Sequence, residues 1–60
     1  MDEKQAREIA RNKSKDSCEL WVVFEKYSDL RIRVSTYSDY MEHATLADDL
    51  MATYEDGEQI

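Results

Sequence analysis

The segment LRIRVSTY, residues 30–37, alternates between apolar and polar side chains, and this alternation limits the fold more than any other feature of the chain. A period of two places the apolar side chains on one face and the polar ones on the other, as in a β-strand with one face in water. The preceding segment ELWVVFEK, residues 19–26, is rich in the β-branched and aromatic residues that favour strands. Because only YSD separates the two segments, they predict a β-hairpin over residues 19–37.

Charge favours one register of this hairpin. Pairing Lys26 with Leu30 places Glu25 opposite Arg31, whereas a register tighter by one residue on each strand would oppose Glu25 and Asp29. We therefore expect the first register, in which alternate residues of both strands share the face that another element covers. That covered face is expected to consist of Leu20, Val22, Phe24, Leu30, Ile32 and Val34.

Residues 39–56 have the periodicity of an amphipathic helix. At 100° per residue the apolar side chains fall on one stripe. Asp39 and Glu42 resemble a capping box, and Gly57 suits the position that follows the last helical residue. We expect this C-terminal helix to lie on the covered face of the hairpin. The stripe consists of Tyr40, Ala44, Ala47, Met51 and Tyr54.

Residues 1–15 consist largely of good helix formers, but their apolar stripe is thin. With only Ala6, Ile9 and Ala10 on that stripe, the N-terminal helix is expected to dock weakly. No proline or linker interrupts the chain, and its only glycine is Gly57. The sequence therefore predicts a single small α+β domain, residues 1–60, with the order α-β-β-α.

Negative charge is concentrated in the predicted C-terminal helix. The chain has a net charge of −6, and residues 39–60 contain seven carboxylates and no Lys or Arg. Because no basic side chain lies three or four residues away, the acids break local rules without local compensation, as at a functional surface. We expect them either to dock on a basic surface of another protein or only to keep the chain in solution. The predicted partner-binding acids are Glu42, Asp49 and Asp56 on one ridge and Asp48 and Glu55 on another.

A second candidate interface lies on the other face of the hairpin. In the expected register Trp21 and Val23 point away from the C-terminal helix, beside Arg33. Two large apolar side chains on a solvent-facing side of a sheet indicate that something covers them. The candidates are the N-terminal helix through Ile9, a second copy of the chain and a target protein. Trp21, Val23 and Arg33 are therefore also predicted to bind a partner, and edge pairing of two hairpins would make a homodimer.

The sequence offers no set of catalytic residues. Cys18 and His43 are the only candidate nucleophile and base, and nothing supplies the third, orienting group. These two soft ligands lie far apart in sequence, and one glycine cannot form a phosphate-binding loop. We therefore expect no enzyme activity, no cofactor and no metal. The longest apolar run, LWVVF, is too short to cross a membrane, and a lone cysteine suits the cytoplasm.

In size and charge the chain resembles the small proteins with which phages and mobile elements block host machinery, a class that includes anti-CRISPR proteins, RNA polymerase inhibitors and phage antitoxins. The resemblance implies an inhibitor in the host cytoplasm that occludes a basic surface, in some cases by mimicking nucleic acid. A homodimeric accessory or regulatory module with purely solubilising acids is the alternative. A third is nucleic-acid binding through the basic N-terminal arm, although the acidic balance argues against it and against membrane binding. The bases of this arm are Lys4, Arg7, Arg11, Lys13 and Lys15.

Overall fold

The computed structural model describes residues 2–45 and 47–60; Met1 and Leu46, which fall within the two predicted helices, lie outside this description. The described residues form two helices and a four-stranded antiparallel sheet, so the predicted α+β class is confirmed. Neither helix has the length and apolar character that crossing a membrane requires. In chain order the elements are α1 (Glu3–Ser17), β1 (Trp21–Lys26), β2 (Arg31–Thr36), α2 (Tyr37–His43), β3 (Asp49–Glu55) and β4 (Glu58–Gln59). The strand order in the sheet is β2-β1-β3-β4.

Helix α1 covers one face of the sheet. It begins after Asp2, whose side chain caps the first turn, and is followed by Cys18, which has a left-handed φ of 58°. Ala6, Ala10 and Ser14, spaced by four, are fully buried, and their small side chains let the helix approach the strands closely. Because α1 packs on three strands, it covers the sheet more extensively than its thin apolar stripe predicts. The core beneath it consists of Val23, Ala52 and Tyr54, with Trp21, Ile32, Val34 and Met51 packed at its margin.

The prediction of a C-terminal helix over residues 39–56 is wrong beyond His43. Helix α2 ends there, and residues 49–55 form β3, an inner strand between β1 and β4. A two-stranded hairpin is marginal by itself, and β3 gives β1 a second neighbour. Ala52 and Tyr54 are buried two residues apart, as strand geometry requires. In so short a segment the same apolar residues fit both the spacing of a helix and the alternation of a strand. Pairing with a neighbouring strand then determines which of the two structures forms.

The β1–β2 hairpin is present, but its register differs from the predicted one. Lys26 pairs with Arg31, so residues 27–30 form the turn, and Leu30 takes a left-handed φ of 56°. Asp29 stabilises this turn because its side chain accepts the N–H of Arg31 and pairs with the guanidinium of Arg33. The register is shifted by one residue on one strand. Side chains that were expected to lie on the same face of the sheet therefore lie on opposite faces.

Side chains of β1 therefore alternate between two covered faces. Trp21 and Val23 lie on the α1 side together with Val34, the ladder partner of Val23. Phe24 lies on the opposite face, where α2 packs over β1 and β2 and the ring of Tyr40 is 5.0 Å from that of Phe24. The face that was expected to be covered by one helix is thus divided between the two sides of the sheet.

Candidate protein-binding surface

Two pairs of carboxylates lie directly opposite one another across neighbouring strands. Glu25 on β1 is the partner of Asp49 on β3, and Glu55 on β3 is the partner of Glu58 on β4. Like charges at opposed positions destabilise a sheet. In the described part of the chain none of these four acids forms an ion pair, and the sequence has no Lys or Arg after Arg33. The sheet therefore carries an electrostatic cost that no described ion pair offsets.

The Glu55–Glu58 pair sits beside a tight turn. Asp56 and Gly57 form this turn, and both have the positive φ, 51° and 84°, that suits a two-residue hairpin loop. The N–H of Gly57 donates to Oγ of Ser14 at 2.9 Å, which holds the turn against α1. The dipeptide Asp-Gly is a strong sequence signal for such a hairpin. The sequence prediction missed it because it assigned Gly57 to the end of a helix.

The sheet face opposite α1 is only partly covered, because α2 packs over β1 and β2. Leu50, the partner of Phe24, is 45% exposed on this side. Ile60, whose N–H donates to the backbone of β3 at 2.9 Å, is 69% exposed. Glu55 follows Tyr54, which lies on the α1 side, so strand alternation turns Glu55 and its partner Glu58 to this side. Leu50 reaches the same side because the β1–β3 pairing shifts by one residue between Val23 and Phe24. We call this surface the open sheet face, and it consists of Leu50, Thr53, Glu55, Glu58 and Ile60.

Asp48 differs from the other predicted acids because its side chain is only 1% exposed. Its Oδ1 accepts the N–H of Tyr27 at 2.9 Å, and its Oδ2 accepts Nζ of Lys26 at 3.1 Å and the N–H of Thr45 at 3.2 Å. The Tyr27 N–H, followed by the Lys26 ammonium and the Thr45 N–H, lowers the pKa of Asp48 to about 2 against the opposing effect of burial. Asp48 therefore joins the segment after α2 to the β1–β2 turn.

The exposed acids that were expected on two ridges of one helix are distributed over three parts of the fold. Glu42 lies on α2, Asp49 and Glu55 lie on β3, and Asp56 lies in the turn that follows. Glu55 and Asp56 meet at a shallow surface cavity of about 360 Å³, whose wall also includes Glu19. The continuous negative ridge of a helix does not form, and Glu55, Asp56 and Glu19 meet at one cavity instead.

The second predicted interface is covered by α1. Val23 has no exposed surface, so it is not available to a partner. Trp21 is half-buried; its Nε1–H donates to Oγ of Ser17 at 2.8 Å, and Nζ of Lys13 lies 5.5 Å from its ring centroid. Arg33 is exposed but pairs with a carboxylate of the neighbouring turn. Of the proposed covers for Trp21 and Val23, the structure therefore supplies the N-terminal helix.

Two exposed acids of α2 lie beside the only histidine of the chain, which ends the helix. Asp39, Glu42 and His43 stand at positions i, i+3 and i+4, and their possible ligand atoms all lie within 4.8 Å of one another. A search for paired Cys and His overlooks a set of this kind, because it combines one imidazole with two carboxylates. Its spacing on a short helical segment is the sequence signal that could have found it.

The predicted nucleophile and base are not brought together by a shared element. Cys18 directly follows α1, His43 ends α2, and the two helices pack on opposite faces of the sheet. No family model matches the chain, and neither a curated protein nor a solved structure matches it.

Proposed function

We propose that this chain is a non-enzymatic binding protein that acts in the cytoplasm and occludes a basic surface of a host protein with its open sheet face. The observation that carries the proposal is the opposed Glu55–Glu58 pair beside the exposed side chains of Leu50 and Ile60. Inhibitors that phages and mobile elements direct against host machinery are the proposed class. A surface that normally holds nucleic acid is a suitable target, because adjacent carboxylates compete with phosphates for the same cations.

The electrostatic part of the proposal follows from the state of the free protein. Opposed carboxylates repel each other, and a Lys or Arg placed between them would replace that repulsion with two attractions. Complex formation thus removes a cost that the free chain carries. The excess negative charge also raises the rate of encounter with a cationic surface, an effect that added salt weakens.

The apolar part supplies area that ion pairs do not. Burying the exposed portions of Leu50 and Ile60 stabilises a complex by roughly 25 cal/mol per Å² of apolar surface. Thr53, between them and half-buried, adds a hydroxyl that can donate or accept. An apolar centre with charged neighbours is the usual composition of a specific protein interface.

The Glu25–Asp49 pair provides a matched comparison within the same protein. Glu25 alternates with Phe24 and shares the α1 side with Val23, so the Glu25–Asp49 pair and the open sheet face point in different directions. One flat partner surface cannot cover both carboxylate pairs. Substitutions at the two pairs therefore alter the total charge equally but should alter binding differently.

The experiment compares Glu55→Lys/Glu58→Lys with Glu25→Lys/Asp49→Lys in affinity capture from host lysate, followed by titration of the captured protein. We expect the first variant to lose the partner and the second to retain most of its affinity. A DNA oligonucleotide that displaces the chain from the partner would place the contact at a nucleic-acid site. Equal loss in both variants would indicate non-specific attraction, and full retention in both would reject the proposal. Circular dichroism checks that both variants remain folded.

The basic arm supports protein binding over nucleic-acid binding. Arg7 pairs with Glu3 on α1 at 2.9 Å, and the Arg11 guanidinium lies 6.0 Å from the ring centroid of Tyr54. Lys13 likewise lies over the ring of Trp21. Several cations of the arm are thus engaged within the protein, which reduces the charge that they can direct at phosphates.

A homodimer built on the exposed Leu50 and Ile60 would differ from the edge pairing of two hairpins that the sequence predicts. Pairing two open sheet faces would bring the Glu55–Glu58 pairs of both copies together, and four adjacent carboxylates oppose such an assembly. We therefore propose a monomer in the absence of its target. Sedimentation at increasing concentration measures this directly, and a dimer that persists at micromolar concentration would favour the accessory-module alternative.

A further inference from the structure

The one histidine of the chain lies beside two carboxylates on an exposed side of α2. Asp39, Glu42 and His43 span about 100° of the helix circumference, so all three side chains leave the same side. Their donor atoms already lie within 4.8 Å of one another. We propose that this cluster binds a divalent transition-metal ion such as Zn²⁺, with water completing the coordination. This inference does not depend on the proposed partner.

The donor set suits that ion. Zn²⁺ accepts imidazole nitrogen and carboxylate oxygen at about 2.0–2.2 Å, which in a tetrahedral arrangement separates the donors by about 3.4 Å. Exposed side chains rotate freely enough to close the distance from 4.8 Å to that value. Borderline metals prefer a site with imidazole over one made of carboxylates alone, so His43 distinguishes this cluster from the other acids of the chain.

The backbone of the three ligands is fixed before any metal binds. A seven-residue helix would not persist alone. Here Oγ1 of Thr36 accepts the N–H of Asp39 at 3.2 Å, and Tyr40 packs on Phe24. The ligands therefore start from a common helical turn, and binding needs only to order their side chains.

The surroundings favour a dication. Asp39 and His43 form part of the wall of a cavity of about 120 Å³ between α2 and the sheet, and the rings of Phe24 and Tyr40 line the same cavity. Lys26 is the cation that lines this cavity, and its ammonium is bound by the carboxylate of another segment, at 3.1 Å. No Lys or Arg follows residue 33, so the segment that carries the cluster brings no ammonium or guanidinium of its own to compete with a metal ion.

The test uses full-length, untagged protein carrying Cys18→Ser, because the exposed thiol would itself bind Zn²⁺. Calorimetric titration with Zn²⁺ is expected to show one site per chain. His43→Ala, and separately Glu42→Gln, should weaken binding by about tenfold or more, since each removes one ligand. Glu8→Gln, an exposed carboxylate on α1, should leave binding unchanged.

A second readout assigns the site without relying on affinity. The imidazole resonances of His43 should shift on addition of Zn²⁺ to one equivalent, while circular dichroism stays constant. The proposal is overturned if no saturable binding occurs below about 1 mM Zn²⁺, or if His43→Ala binds as tightly as its parent. A normal response to Zn²⁺ in a chain that captures no host protein would separate this inference from the proposed function.

Discussion

Ser14 in the middle of α1 accepts the backbone N–H of Gly57 at 2.9 Å and donates its own hydroxyl hydrogen to the carbonyl of Arg11 at 2.9 Å. One fully buried hydroxyl thus joins the first helix to the turn of the last hairpin. The contact fixes the turn that precedes Glu58, and with it the position of the open sheet face relative to the core.

Replacing this hydroxyl should destabilise the fold. In Ser14→Ala the N–H of Gly57 loses its acceptor beneath α1, and an unsatisfied donor of this kind costs about 1–3 kcal/mol. Urea denaturation at neutral pH measures the loss as a lower midpoint at an unchanged slope. Ser28→Ala, in the exposed β1–β2 turn, is the matched control and should change stability by less than about 0.5 kcal/mol. Equal midpoints for the two variants would contradict the structural role of Ser14.

The first hairpin could be predicted from the sequence because its two strands are local and strongly patterned. Its register could not, since a four-residue turn held by the side chain of Asp29 replaced the shorter loop that charge pairing favoured. The close packing of α1 on the sheet could not be predicted from the sequence either. Ala6, Ala10 and Ser14 give little apolar area, yet they permit the close approach that buries Val23.

That close approach makes Ala10 sensitive to size. Ala10 has no exposed surface and packs in the same cluster as Val23 and Tyr54. Ala10→Leu should therefore force α1 away from the sheet and destabilise the protein by about 1–3 kcal/mol, although leucine has the higher hydrophobicity. Thermal unfolding checks this against Glu8→Leu, which places the same side chain on an exposed part of α1. A stabilised Ala10→Leu variant would mean that the interface is loosely packed.

Asp48 should make the stability of the protein depend on acid. Its pKa of about 2 in the folded chain lies below the ordinary value of 3.8, so the contribution of its ionised form is complete above pH 4. That contribution is lost as the pH falls from about 4 to 2, because protonation removes the charge that Lys26 and the two backbone N–H groups contact.

In Asp48→Asn the melting temperature should be lower at pH 7 and should change less between pH 4 and pH 2 than in the parent chain. Some acid sensitivity will remain, since Arg33 and the N–H of Arg31 also lower the pKa of Asp29. Thermal melts at several pH values provide the comparison. Parallel curves for the two proteins would show that another carboxylate dominates acid unfolding.

The charge of the candidate surface could be predicted from the sequence, but its shape could not. Seven carboxylates without a basic residue indicate a negative surface in any fold. Which of them oppose each other depends on strand register, and register depends on a third strand that the helical spacing concealed. Asp48 shows the same limit, because two of its three partners, Lys26 and Tyr27, lie about twenty residues away in sequence.

Removing the repulsion in the last hairpin should stabilise the free protein while weakening its binding. Glu58→Lys places an ammonium opposite Glu55, and exchanging a like-charge pair for an opposite-charge pair gains about 0.5 kcal/mol in a sheet. The gain should shrink in 1 M salt, where such pairs are screened. If the open sheet face binds a basic partner, the same substitution should lower affinity, so the two measurements move in opposite directions. A variant that is more stable and binds equally well would place the interface elsewhere, and one that is less stable would show that the two glutamates do not repel.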